Sequence, residues 1–437
     1  MSRTPVAGAQ LRIVGLAAAS LAANALALVF TVVFSRALGE EGYGSLAALL
    51  SALLILSVPG TALQIAVARD VASGRYGDGP QLAAIVRRWL VPLLVGTVAV
   101  AVASAVGREL AAGAVGVEQP WAAALVLPGA GVWLMLSLLR GVGQGIGTIT
   151  TVGWSIVGEA LGRLACGLLL FAANAGVTAA FAGTPLAMGL AALALGVVLN
   201  RRIGAPGAAE PWRLPGRGLG ALAGSARTAI FGLTLLTVLQ NIDVIVVKHR
   251  LDDAAAGSYA AAAVAAKVLI WVAIGLAIHV VPEAAGRAAR GEPPAGALRQ
   301  PLGVLAILAV PVLGIFVLAP ELLLRLGFGA EYADAHTTLL PLGAAFTLLA
   351  ACYLASQYLL ALHHAAFLWI LAAAVGVEVI GLALAGDGYV QVSLVVLCVQ
   401  AGALALVLVF AARARPRGRI DEPVVPGPHA RTVEEIA

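Results

Sequence analysis

Glu159 and Arg163 stand four residues apart in the middle of a long apolar run, a spacing that puts opposite charges on one face of a helix, where they can pair. Ser155, Gly158, Gly162 and Cys166 lie close to that stripe, so the face suits protein or water better than lipid. Two uses stay open: an internal pair that locks one helix to a neighbour, or a cavity wall in which Arg163 attracts an anion. Asp243 and Lys267 occur in consecutive apolar runs, roughly seven and ten residues from the same end, so at about 1.5 Å per residue their depths differ by only about 5 Å. They are read as a buried pair that is either static or part of a gate or ion-coupling site. Glu378 is a lone carboxylate in a third run, a candidate proton site or half of a pair. Asn24, Gln64, Gln240 and Asn241 are amides in apolar segments, suited to a polar path or to hydrogen bonds between helices. Arg36 stands at the end of the first run beside Glu40 and Glu41, as a snorkelling residue or a contact for a lipid head.

The elements that carry these groups follow from composition. Of 437 residues, 61% are hydrophobic and 11% charged, against roughly 45–50% and about 25% in a soluble domain. A chain of this kind uses the bilayer as its solvent. The apolar runs are about 20 residues long and continuous, where barrel strands would be about 10 residues with alternating polarity. The expectation is therefore an all-α polytopic membrane protein of about 12 transmembrane helices. Spans are placed near 11–34, 44–66, 89–106, 121–140, 148–172, 177–199, 226–247, 257–281, 301–319, 337–361, 365–384 and 388–411. Placing both termini in the cytoplasm puts 20 of the 27 Lys and Arg residues inside, 5 outside and 2 within spans, the bias that the positive-inside rule requires. The formal charge of +5 thus reads as topology, and no nucleic-acid partner is expected.

The domain plan is a cytoplasmic N-terminus at 1–10, a six-helix bundle at 11–199, a cytoplasmic linker at 200–225, a second six-helix bundle at 226–411 and a disordered cytoplasmic tail at 412–437. Several chemistries are absent. Cys166, Cys352 and Cys398 form no CxxC or Cys/His spacing, so neither disulfides nor a metal site is indicated. Gly141, Gly143, Gly145 and Gly147 lack the dinucleotide spacing and follow no strand, and are read as a tight cytoplasmic turn. No Walker motif occurs; no cofactor and no catalytic residue is expected.

The stretch from Phe34 to Gly44 is echoed weakly by Lys248 to Tyr259: each closes a helix, makes a short acidic turn, opens a Gly/Tyr helix and precedes a proline, Pro59 or Pro282. Parallel repeats of six helices are one common transporter plan, with the substrate site between the halves. Phe34-Ser-Arg-Ala-Leu-Gly-Glu-Glu-Gly-Tyr-Gly44 resembles the F-S-R-x-L-G-x-x-x-Y-G pattern of the polysaccharide flippase family, in the superfamily that also holds multidrug and lipid II exporters. Arg140-Gly141-Val142-Gly143-Gln144-Gly145 resembles its R-G-x-x-Q-G, and Asp243 followed by Gly257-Ser258-Tyr259 fits its second half. The resemblance spans about residues 10–410. It implies two helix bundles around a central cavity, and movement of lipid-linked oligosaccharide, usually on undecaprenyl pyrophosphate, to the outer leaflet of a bacterial inner membrane. The partners implied are that substrate, membrane lipids and H+ or Na+ as a coupling ion. The rivals are a multidrug exporter of the same superfamily and, less well supported because the outer loops are short, a membrane-embedded glycosyltransferase or polymerase.

Overall fold

A computed structural model of the chain describes residues 5–77, 79–173, 176–204, 218–290, 292, 296–386 and 388–414. Among these every regular element is helical. The apolar runs become helices because a helix satisfies its own backbone groups, as any segment inside hydrocarbon must.

The first helix, α1 (Pro5–Ala72), contains two crossings rather than one. Its apolar part covers 58 residues; straight, that would reach about 87 Å at 1.5 Å per residue, against a hydrocarbon core of about 30 Å. Gly39 breaks it, at φ 66° and ψ −179°, a left-handed backbone that costs a side-chain-bearing residue far more than glycine. Eleven segments are long and apolar enough to cross a membrane, and the Gly39 break divides the first, giving twelve crossings among the described residues.

The remaining crossings are α2 (Pro80–Val106), α4 with α5 (Pro120–Ala124 and Val126–Gly145), α6 (Ile149–Ala173), α7 (Val177–Ile203), α8 (Leu219–Arg250), α9 with α10 (Asp253–Ala266 and Val268–Ala289), α11 (Gly296–Leu318), α13 (Leu339–Ala361), α14 (Phe367–Leu384) and α15 (Tyr389–Arg413). Two short helices appear where only loops were expected. α3 (Arg108–Val115) follows the third crossing and α12 (Pro320–Gly327) the ninth. Both are amphipathic and leave leucines exposed, Leu110 on α3 and Leu322 and Leu326 on α12, as helices lying in a membrane interface do. Their matching places add a second echo between the halves. The 1–10 segment differs from expectation in that helix begins at Pro5; of the 200–225 linker, α7 and α8 take up the ends and residues 205–217 lie outside the described residues, as do 1–4 and the tail from 415.

Of the glycine run after Arg140 only Gly147, at φ 78°, lies in a turn; Gly141, Gly143 and Gly145 are helical. Helix α5 continues to Gly145 and the chain reverses only over Ile146–Thr148. A Cβ on Gly141 would stand 2.7 Å from the Gln64 carbonyl oxygen of α1. The run keeps α5 and α1 at backbone contact, the usual role of small residues between membrane helices. Gln64 therefore belongs to this crossing.

The two echoed turns meet each other at the end that the charge bias assigns to the outside. A Cβ on Gly257 would collide with the Glu40 carbonyl oxygen, and one on Gly44 would lie 2.9 Å from the Gly257 nitrogen. The Ser258 hydroxyl donates to Glu40 Oε1 at 2.8 Å. The Tyr332 hydroxyl donates to the Ser35 carbonyl at 2.7 Å. Arg36 Nη2 donates to the Leu326 carbonyl at 2.7 Å, so this arginine ties the first half to α12 instead of standing free in the interface. Tyr43, Phe328 and Tyr332 pack ring against ring, with centroids 6.0–6.2 Å apart. This seam joins the two halves of the chain at that end.

Replacing Gly257 by Ala should push α9 off Glu40 and destabilise the protein by about 1–3 kcal/mol. Gly275→Ala on α10, where no atom lies within 4 Å of the added carbon, should be neutral or stabilising by up to about 1 kcal/mol. Thermal unfolding in detergent checks the opposite signs.

Candidate functional site

Below the seam lies a cavity of about 320 Å³, walled by both halves. Helix α1 contributes Asn24, Phe30 and Tyr43; α5, α6 and α7 contribute Trp133, Glu159, Arg163 and Thr184; α8 contributes Gln240 and Asn241; Lys267 and Trp271 complete the wall. Tyr43 roofs it, since its ring also belongs to the seam. Asn24 is exposed. Six of the ten residues singled out from sequence, Asn24, Glu159, Arg163, Gln240, Asn241 and Lys267, thus line one space. Arg36 and Gln64 do not; the first is in the seam and the second at the α1–α5 crossing.

Glu159 and Arg163 share the wall, but Glu159 takes a different partner. Arg140 Nη2 lies 3.6 Å from Glu159 Oε2, and both side chains are buried. Arg140 also donates through Nε to Ser155 Oγ at 3.2 Å and through Nη2 to the Ser155 carbonyl at 2.9 Å. The reason is the extension of α5: Arg140 sits near its end, just before the chain folds back into α6, and its long side chain spans the crossing. No ion pair joins Glu159 to Arg163 among the described residues. The Arg163 guanidinium lies 5.5 Å from the Phe30 ring centre, and its buried Nε has no hydrogen-bond partner. One wall of the cavity therefore presents a cation not neutralised by any carboxylate. Thr184, also on that wall, is wholly buried and its hydroxyl is likewise without a partner.

A second cluster stands behind the opposite wall. Asp243 is fully buried, with Oδ1 3.9 Å from Lys267 Nζ and Oδ2 accepting from the Tyr259 hydroxyl at 3.1 Å. The Lys267 ammonium rests 5.1 Å from the Phe346 ring centre. Lys267 occupies the break between α9 and α10, where its amide reaches both the Ala263 and Val264 carbonyls. Glu378 has the partner that sequence did not identify: Gln400 Nε2 donates to Glu378 Oε2 at 2.9 Å and to the Leu239 carbonyl at 3.2 Å. Leu239 lies one helical turn before Asp243, so Gln400 ties Glu378 to the Asp243 face of α8. Asn241 spends its Nδ2 on its own helix, donating to the Thr237 carbonyl at 2.9 Å.

Sequence reasoning missed Arg140, Thr184, Tyr259 and Gln400. Gln400 had the signal used for the other amides, a polar side chain inside an apolar run. The signal for Arg140 is its place at the head of the R-G-x-x-Q-G stretch, which does not name its partner on α6.

Arg140→Ala should leave Glu159 buried without its cation and cost about 3–5 kcal/mol. The double variant Arg140→Ala, Glu159→Gln should recover most of that loss. A double variant no more stable than the single one would show that the pair does not hold the α5–α6 crossing.

No protein-family profile matches the sequence, and no curated protein matches it. Solved structures do. An inward-facing multidrug resistance MATE family transporter of the MOP superfamily aligns with a TM-score of 0.69 at 13% identity, over 87% of this chain and 94% of its own. The lipid II flippase MurJ in an inward closed conformation aligns with a TM-score of 0.67 at 12% identity, over 92% and 88%. The eukaryotic MATE transporter AtDTX14 aligns with a TM-score of 0.61 at 13% identity, over 92% and 95%. The chain thus has the all-α, twelve-crossing fold shared by the MATE transporters and MurJ.

Proposed function

We propose that the chain is a flippase that carries lipid-linked oligosaccharide of the polyprenyl-pyrophosphate type from the inner to the outer leaflet of a bacterial cell membrane, with both termini in the cytoplasm. One observation supports this reading above the others: the cavity between the halves holds an arginine, Arg163, whose nearest acid is already neutralised by Arg140. A spare guanidinium in a mostly apolar cavity is a site for an anion. Its planar fork suits the paired oxygens of a pyrophosphate. Around it, Asn24, Gln240 and Trp271 offer amide donors and an aromatic face to sugar hydroxyls and ring carbons. The prenyl tail stays in lipid while the head crosses.

Movement is by alternating access. The halves rock about the cavity, and the seam from Phe34 to Gly44 against Gly257, Ser258 and Tyr332 opens as the inner end closes. Energy comes from the membrane potential, which favours outward movement of an anionic head and supplies about 2.3 kcal/mol per charge for each 100 mV. Asp243, Lys267 and Glu378 form the coupling centre.

The likeness to MATE transporters makes multidrug export the competing outcome of the test. Depleting the protein should cause one lipid-linked oligosaccharide to accumulate on the cytoplasmic leaflet. Complementation with Arg163→Gln should restore flipping at least about tenfold less well than wild type, a loss of about 1.4 kcal/mol or more, with Arg163→Lys between them. Unchanged lipid intermediates combined with greater sensitivity to cationic drugs would replace the flippase reading with the exporter.

A further inference from the structure

Lys267 belongs to two neighbourhoods at once. It lines the cargo cavity, and its ammonium faces Asp243 Oδ1 at 3.9 Å in the cluster behind the wall. That cluster has fewer hydrogen-bond donors than acceptors. Asp243, Glu378 and Gln400 are all wholly buried, and each has one acceptor oxygen, Oδ1, Oε1 and Oε1 respectively, with no hydrogen-bond partner. The local donors are already in use: Tyr259 on the other Asp243 oxygen, and Gln400 Nε2 on Glu378 and Leu239. Buried polar atoms are rarely left unpaired, so three orphaned acceptors in one place need a reason.

Among the described residues, no cation other than Lys267 forms an ion pair with this cluster. Helix α8 faces the cluster with Asp243, α9 with Tyr259, α14 with Glu378 and α15 with the neutral Gln400. Helix α13 supplies Phe346 and has no charged residue between Leu339 and Ala361. Among the described residues the charges across the cavity are Arg163 and Glu159, the latter held by Arg140. One ammonium, paired with Asp243, thus serves a neighbourhood that holds two carboxylates. In a low-dielectric interior they cannot both stay ionised if it leaves.

We propose that the cargo's anionic group and the Asp243–Glu378 pair compete for Lys267, and that the pair takes up one proton when Lys267 turns to the cargo. This rests on the reading that an anion enters the cavity. The exchange makes one O–H bond, between a proton from water and a carboxylate oxygen of the pair. When the anion departs, Lys267 returns and the proton is released. Lys267 can serve both sides because it is the joint between α9 and α10, with a long stem on a helix end. The orphaned atoms are acceptors, which a proton bridges directly.

The test uses the full-length protein in detergent and a soluble sugar diester of pyrophosphate, whose own charge is constant across the neutral range. Proton uptake is read with a pH-indicator dye in weak buffer. Wild type should take up about one proton per probe bound, and bind about tenfold more tightly for each unit the pH is lowered across the transition. Replacing sodium by choline should change neither number. Glu378→Gln, which keeps the shape and accepts no proton, should bind the probe with uptake reduced toward zero. Binding without proton uptake in wild type, or binding that requires sodium, overturns the proposal while leaving the flippase reading intact. No binding of the probe, with cationic drugs bound instead, overturns that reading and the proposal with it.

Discussion

An ionised side chain within the hydrocarbon thickness costs at least about 2.5–3.5 kcal/mol unless something compensates it. The structure is arranged around that constraint. Besides Asp70 and Lys248, paired near helix ends with Arg75 and Asp253, its enclosed charges form two groups, one per half. In the first, Arg140 and Glu159 neutralise each other where α5 crosses α6, and Arg163 is left facing the cavity. In the second, Asp243 pairs with Lys267 and accepts from Tyr259, and Glu378 is held by Gln400. The fold brings both groups against one space because α1, α5, α6 and α7 form one wall and α8 with α9 and α10 the other.

The small residues serve the same end. Charges can be enclosed only if the helices around them leave no gap for lipid. Gly141 lets α5 reach the backbone of α1, and Gly44 with Gly257 lets the halves meet closely at the outer end. The hydrogen bonds of the seam run between Ser258 and Glu40, between Tyr332 and Ser35, and between Arg36 and Leu326. These are few and local, so separating the halves there exposes little polar backbone.

The crossings were legible in the sequence because their signal, about 20 apolar residues in a row, is the very property that makes a segment cross. The breaks were less so. Lys267 sits inside an unbroken apolar run, and nothing in its neighbours announces that the helix is interrupted beneath it. α3 and α12 were invisible for the converse reason: eight residues of mixed polarity resemble a loop until the interface around them is considered. Of the site, the depth argument located Asp243 against Lys267, since depth along a helix follows from residue number alone. It could not say which acid Arg163 would meet. The i,i+4 rule reports what one helix permits, and Arg140 arrives from another.

The placement of the Phe34–Gly44 stretch carries a last consequence. The stretch that carries the resemblance read from the sequence forms the weld between the two halves of the chain, and only Tyr43 in it touches the cavity. The cavity wall is built elsewhere, by residues of seven helices, half of those residues on α1. Two proteins could share that stretch letter for letter and carry unlike molecules, and a change of cargo would leave no mark on it.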